Sequence, residues 1–206
     1  MNEIRSIDTE YKGYLFRSRL EARWAVFFDA CGVDWEYEPE GFDLGNGVYY
    51  LPDFLLHGVK GRVNGDLYVE VKGQMSEDDA IKIKRFVESS IYKDESGREH
   101  IGKPLFLVGR IPPDDNIRDI DRYVEDCAYP NTEPVGGIYF FNFETIDFDY
   151  FAAHPGISKE GYFELFGDDG SYLSLRDDAR TLQAYRRAKQ ARFEHGRTPV
   201  HRRGIK

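Results

Sequence analysis

The 206-residue chain is long enough for one domain with a proper core and a small appendage, and its 41% hydrophobic and 15% aromatic content supplies material to bury. No run approaches the about 20 apolar residues of a membrane span, no basic-then-apolar leader opens the chain, and the two cysteines, Cys31 and Cys127, make neither a disulfide framework nor a zinc site, so we expect a cytoplasmic protein without a membrane partner. The net charge of −9 argues against a protein that coats nucleic acid indiscriminately.

In chain order, an edge strand is predicted around residues 13–16. Ser18 then opens a helix in which Leu20, Trp24, Phe27, Phe28 and Cys31 form one apolar face, and Gly32 stops it. Strands follow at 34–38 and 48–51, joined across the turn Leu44-Gly45-Asn46-Gly47. Pro52, lacking an N–H, marks an edge or bend, and 53–56 continues extended. Residues 57–66, with Gly58, Gly61 and Gly65, read as a loop, and 67–72 as a clear strand ending at Gly73. A helix is predicted over 76–91, with Ile83, Phe86, Val87 and Ile91 on one side and Ser76 and Glu77 at its start. Residues 93–103 read as a polar turn, 104–109 (PLFLVG) as a buried strand, 115–127 as the site of a helix, and 137–142 as a strand.

This order fits an α/β fold with a mixed β-sheet flanked by helices. Beyond residue 150 the pattern changes. Residues 161–166 and 171–175, separated by Gly167-Asp168-Asp169-Gly170, read as a hairpin, residues 176–195 as a basic helix, and the last dozen as a flexible tail. From Arg176 to Lys206 ten Lys/Arg face three acids, an excess of seven positive charges on a body carrying sixteen negative ones. Such an end suits either a phosphate-contacting arm or a solvated helix.

Three acids and a lysine carry the candidate chemistry. Asp53 follows Pro52 at the end of one strand. Glu70 and Lys72 lie two apart on the next strong strand, so both point to one face while Val71 points into apolar packing. If the two strands are neighbours, Asp53 and Glu70 offer oxygen ligands to a hard divalent ion, with Lys72 beside them to hold water or neutralise a phosphate. The competing reading of Glu70 and Lys72 is a solvent-facing salt bridge. For Glu21 it is the capping box Ser18-Arg19-Leu20-Glu21, which spacing alone favours. The five histidines are scattered, without metal-ligand spacing.

The segments Phe16-Arg17-Ser18-Arg19-Leu20-Glu21-Ala22-Arg23-Trp24-Ala25, Trp35-Glu36-Tyr37-Glu38-Pro39, Tyr50-Leu51-Pro52-Asp53-Phe54 and Tyr68-Val69-Glu70-Val71-Lys72-Gly73 together resemble the PD-(D/E)XK nuclease superfamily. The likeness is to its small phage and mobile-element nucleases and transposon-end endonucleases, over about half the chain, residues 13–110. The resemblance implies a restriction-endonuclease-like core over 1–150, with the hairpin, basic helix and tail of 151–206 appended. It implies catalysis by Glu21, Asp53, Glu70 and Lys72. Mg²⁺, or Mn²⁺ in its place, is held by Asp53, Glu70 and the Val71 carbonyl, with Glu21 completing the shell. Arg17 and Arg19, at the mouth of the same helix, are expected either to meet phosphates or to form a solvated helix start, and Gln74 follows the strand closely enough to touch DNA. No tyrosine stands four residues after Gln74, so an exonuclease-type Q-x-x-x-Y motif is not met. The implied protein is a metal-dependent DNA endonuclease of a bacterial or phage-infected cell, acting alone, as a homodimer, or within a recombination or defence complex. The alternative is a nuclease-fold DNA-binding or partner-binding subunit, inactive alone.

Overall fold

The structure, a computed structural model, describes residues 7–61, 64–93, 95–111, 154–166 and 179–193. It is an α/β arrangement around a six-stranded mixed sheet flanked by helices. The chain opens with a hairpin of β1 (Thr9–Tyr11) and β2 (Tyr14–Phe16), joined by Lys12 and Gly13, whose φ values of 51° and 85° match the turn that suits strand twist. α1 (Arg19–Cys31) starts where the Ser18 side chain accepts the Glu21 N–H. It ends where left-handed Gly32 and the next residue donate to Asp29 O and Phe28 O. The expected bounds of this helix hold.

β3 (Trp35–Tyr37) pairs antiparallel with the first half of β6 (Phe54–Gly61), while β4 (Phe42–Asp43) and β5 (Tyr49–Tyr50) form the small ribbon around the Gly45-Asn46-Gly47 turn. The expected loop at 57–66 is corrected: β6 runs on to Gly61, and β7 (Gly65–Val71) begins at Gly65. The strand survives its glycines because the β6–β7 pairing shifts register between Leu56 and Val59, where Gly58 takes a φ of 64°. α2 (Glu77–Glu88) is capped by Ser76 and stops short of the expected end. Ile91 instead starts β8 (Ile91–Lys93), which pairs with β9 (Glu99–Ile101) inside the stretch read as a turn. β10 (Leu105–Val108) runs parallel to β7 and is buried at all four positions, as its unbroken apolar run predicts.

The helix expected at 115–127, the strand at 137–142 and the boundary at 150 lie outside the described residues. Past that boundary, β11 (His154–Ile157) and β12 (Phe163–Phe166) extend the same sheet, in the order β10-β7-β6-β12-β11. Of the expected hairpin, 161–166 contains β12, and 171–175 lies outside the described residues. β12 has β11 on one edge and the end of β6 on the other. Pro155 and Gly156 hid β11 in the sequence. At the β6–β12 contact Gly61 has a φ of 93°, and a Cβ there would stand 2.5 Å from Leu165 O. Gly61→Ala is therefore expected to destabilise the fold by about 1–3 kcal/mol in a denaturant titration. An unchanged midpoint would contradict this packing.

Alternation along β7 divides the core. Leu67, Val69 and Val71 join Phe54, Leu56, Phe106 and Val108 against α1, whose Trp24 donates Nε1–H to Gly109 O at 2.7 Å. Tyr68, Leu105 and Leu107 face α2 through Ile83, Phe86 and Val87. α3 (Ala179–Gln190) packs Ala184, Tyr185 and Ala188 into the first cluster, with the Tyr185 and Phe27 rings 4.4 Å apart. One face of the basic helix is thus core, while Arg186, Arg187 and Lys189 are exposed. Among the described residues no helix is long and apolar enough to cross a membrane.

Candidate active site

The register of β6 and β7 brings the carboxylates together. Phe54 pairs with Val69, so the preceding residue, Asp53, comes opposite Glu70. Asp53 lies just outside the ladder, and its Oδ2 accepts the Val71 N–H at 2.7 Å, in place of a strand carbonyl. Glu70 and Lys72 share a side of β7, as period-2 alternation requires, and Lys72 Nζ lies 2.8 Å from Glu70 Oε1. The other oxygen, Glu70 Oε2, accepts from Tyr50 OH at 2.7 Å. Glu21, Asp53 and Glu70 are 6%, 3% and 3% exposed, so all three are taken out of water together. That burial disfavours the solvent-facing salt-bridge reading of Glu70 and Lys72.

Glu21 enters from α1. Ser18 Oγ donates to its Oε1 at 2.7 Å, and Tyr37 OH and the Arg17 N–H donate to its Oε2 at 2.7 and 3.1 Å. The capping reading therefore holds in a shifted form: Ser18 caps the helix, and Glu21 reaches the backbone of Arg17 rather than that of Ser18. The same Arg17 puts Nη2 2.6 Å from Asp53 Oδ1, tying the helix start to the strand start.

Burial first, and charge crowding second, set the electrostatics. Burial, then repulsion from Glu70 and Glu21, pushes the Asp53 carboxyl well above its ordinary range, against the opposing pull of the Val71 N–H and Arg17. Burial would lower the Lys72 ammonium, but the charge and hydrogen bond of Glu70, with Asp79 and Asp53 behind, raise it above its ordinary value. Lys72 is thus a fixed cation at neutral pH. It can orient water or offset phosphate charge. Burial, then the charge of Glu70, raises Tyr50 as well, which keeps its hydroxyl a donor.

Sequence reasoning missed four of these partners. Tyr37 in β3 and Tyr50 in β5 donate to Glu21 and Glu70, and Glu38 pairs with Arg17. Asp79 sits in the first turn of α2, where it completes a capping box with Ser76 and lies 3.2 Å from Lys72 Nζ. Ser76 and its acidic successors were legible as a helix start, and the Ser76–Asp79 spacing was the available signal. Of the candidate nucleic-acid contacts, Arg17 stands in the site, Arg19 is half-buried in the first turn of α1, and Gln74 is exposed between β7 and α2. Val71 has its side chain in the core and gives its N–H to Asp53.

Compared with family models, curated proteins and solved structures, the chain matches none.

The donor set has therefore to be judged on its chemistry. Among the described residues no three His, Cys, Asp or Glu side chains stand ready to enclose a metal ion. Asp53 and Glu70 remain as a pair of buried carboxylates meeting at the end of the β6–β7 ladder, and each oxygen keeps a lone pair beyond its observed donor. Mg²⁺ is commonly held by one or two carboxylates, the rest of its shell being water and substrate phosphate. The pair fits that demand, and Asp53, crowded by negative charge, gains from any added cation.

Proposed function

We propose that the chain is a divalent-metal-dependent DNA endonuclease of the PD-(D/E)XK type, with a restriction-endonuclease-like core, hydrolysing phosphodiester bonds at the Glu21, Asp53, Glu70 and Lys72 group. The observation that carries this reading is the meeting of Asp53 and Glu70, buried and mutually repelling, with Lys72 Nζ on Glu70. A buried carboxyl such as Asp53, pushed up by burial and by its charged neighbours, costs stability, and such arrangements concentrate where function requires them.

In this reading Asp53 and Glu70 hold Mg²⁺, or Mn²⁺, with the Val71 carbonyl as a further oxygen and Glu21 acting through water. When bound, the ion polarises the scissile phosphate and makes water a better nucleophile. Lys72 aims that water at phosphorus and offsets the charge that builds on the phosphate oxygens. The attacking water gives up a proton to solvent as its oxygen forms a P–O bond, one ester P–O bond breaks, and the departing oxygen takes a proton from solvent. Asp79 holds Lys72 from the far side, keeping its ammonium over Glu70. Tyr50 fixes the second Glu70 oxygen, and Tyr37 does the same for Glu21. Arg17, beside Asp53, and Arg19 and Gln74 are assigned to DNA contact in this reading.

Incubation with linear, supercoiled, branched and single-stranded DNA, in Mg²⁺ or in EDTA, tests the proposal. Cleavage in Mg²⁺ that EDTA abolishes is expected on at least one form. Tight binding with no cutting on any form would instead favour a DNA-binding subunit that needs a partner assembly.

A further inference from the structure

Arg17 makes contacts that a phosphate ligand alone would not require. Its Nη2 lies 2.6 Å from Asp53 Oδ1 and its Nε 2.9 Å from Glu38 Oε1. Asp53 Oδ2 accepts the Val71 N–H while Oδ1 carries the guanidinium, so a cation on Oδ1 meets the Arg17 charge directly. The second anchor is built rather than accidental. Glu38 holds a φ of 47°, unfavourable for a side chain of its kind, and its N–H donates to the Asp53 carbonyl at 2.9 Å. Backbone strain at Glu38 thus sets a carboxylate beside Asp53 as a second acceptor for the same guanidinium. The Arg17 side chain is 56% exposed, so it has room to turn outward.

A divalent ion on Asp53 and a guanidinium on the same oxygen repel one another, and the ion carries twice the charge. We propose that Arg17 and the divalent ion compete for Asp53 Oδ1, and that ion binding releases the guanidinium, still tethered through Nε to Glu38, to a phosphate of the nucleic acid. This rests on the reading of Asp53 and Glu70 as a metal site. Its consequence is order: metal loading and substrate grip are coupled, because the group that leaves Asp53 is a planar donor suited to phosphate. Arg17 is a positioning residue in this scheme, and the coupling is reciprocal between ion and DNA.

Calorimetric titration with Ca²⁺, a hard oxygen-seeking probe, separates the outcomes. Arg17→Met is expected to bind Ca²⁺ about tenfold more tightly than the unaltered protein, the equivalent of one modest ion pair. Lys12→Met, which removes a surface charge paired with Asp29, is expected to change nothing. In a companion measurement with a fluorescent DNA duplex, Ca²⁺ strengthens binding by the unaltered protein, and Arg17→Met loses most of that gain. Arg17→Lys, which keeps the charge but not the fork, falls between, and serves should the methionine variant fail to fold. Asp53-dependent Ca²⁺ binding that Arg17→Met leaves equal or weaker would overturn the competition while sparing the metal site. Equal tightening by Lys12→Met would also overturn it, by reducing the effect to net charge. Ca²⁺ binding that Asp53→Asn does not diminish would instead remove the metal-site reading itself.

Discussion

Replacing Lys72 with alanine is expected to lower Mg²⁺-dependent DNA cleavage about 100- to 1,000-fold while leaving DNA affinity nearly unchanged. Lys72 lies 2.8 Å from Glu70 and 3.2 Å from Asp79, and its raised pKa keeps it charged across the working range. A fixed ammonium matters most where negative charge grows, which is at the phosphate in the transition state. Its loss should therefore fall on the turnover rate at saturating DNA rather than on the substrate concentration needed to saturate. Lys72→Arg keeps the charge but changes the reach, and is expected to recover part of the rate. A Lys72→Ala protein that cleaves at the original rate would remove this residue from the chemistry.

Asp53→Asn is expected to abolish metal-dependent cleavage and, in EDTA, to make the protein more stable as pH rises. The folded pKa of Asp53 is raised above its unfolded value by burial and by Glu70 and Glu21. A raised pKa means that the folded state favours the protonated form. Its contribution to stability is fully present below the unfolded value, near the ordinary carboxylate range, and is lost as pH climbs through the folded one. Asparagine does not ionise, so the two proteins should converge in acid and separate toward neutral pH. The expected gap is a higher Tm for Asp53→Asn that widens as pH rises toward neutrality. The loss of Arg17's acceptor opposes this gain, but Glu38 still holds that guanidinium. Mg²⁺ should reverse the order, since an ion bound only to the folded unaltered protein adds about 2.7 kcal/mol at a hundredfold excess over Kd. A Tm difference that is flat with pH, or an equal Mg²⁺ effect on both proteins, would contradict the electrostatics of the site.

The parts of the fold that were legible in the sequence rest on short-range signals. Ser18 and Gly32 bound α1 because caps act within a few residues, and the unbroken run at Leu105–Val108 announces a strand buried on both faces. Glu70 and Lys72 fall on one side of β7 by alternation alone. What escaped depends on pairing at a distance. Gly58 looks like a breaker until the bulge against β7 absorbs it, and His154–Ile157 looks like a turn until β12 lies beside it. The polar stretch after α2 conceals β8 and β9 for the same reason.

The candidate site divides along the same line. That Asp53 could meet Glu70 was conditional on the two strands being neighbours, and their antiparallel pairing meets that condition. Glu21 carried two readings, cap or site carboxylate, and its bonds to Ser18, Tyr37 and the Arg17 backbone place it where the helix start meets the strand start. Tyr50 on Glu70 and Asp79 on Lys72 could not be read from spacing, because each joins a separate element to β7. The basic end also changes meaning. Deleting residues 176–206 would remove Tyr185 and Ala188 from the core, so neutralising Arg186, Arg187 and Lys189 is the cleaner probe of phosphate contact.

The central claim, that these carboxylates and Lys72 cut phosphodiester bonds, is tested most directly by matched preparations of the unaltered protein and Glu70→Gln. Both are incubated with the four DNA forms in Mg²⁺, so that any contaminating nuclease appears equally in each. Cleavage by the unaltered protein, with only background from Glu70→Gln, is the predicted result. Equal cleavage by both proteins, or none by either on any DNA form, would contradict it.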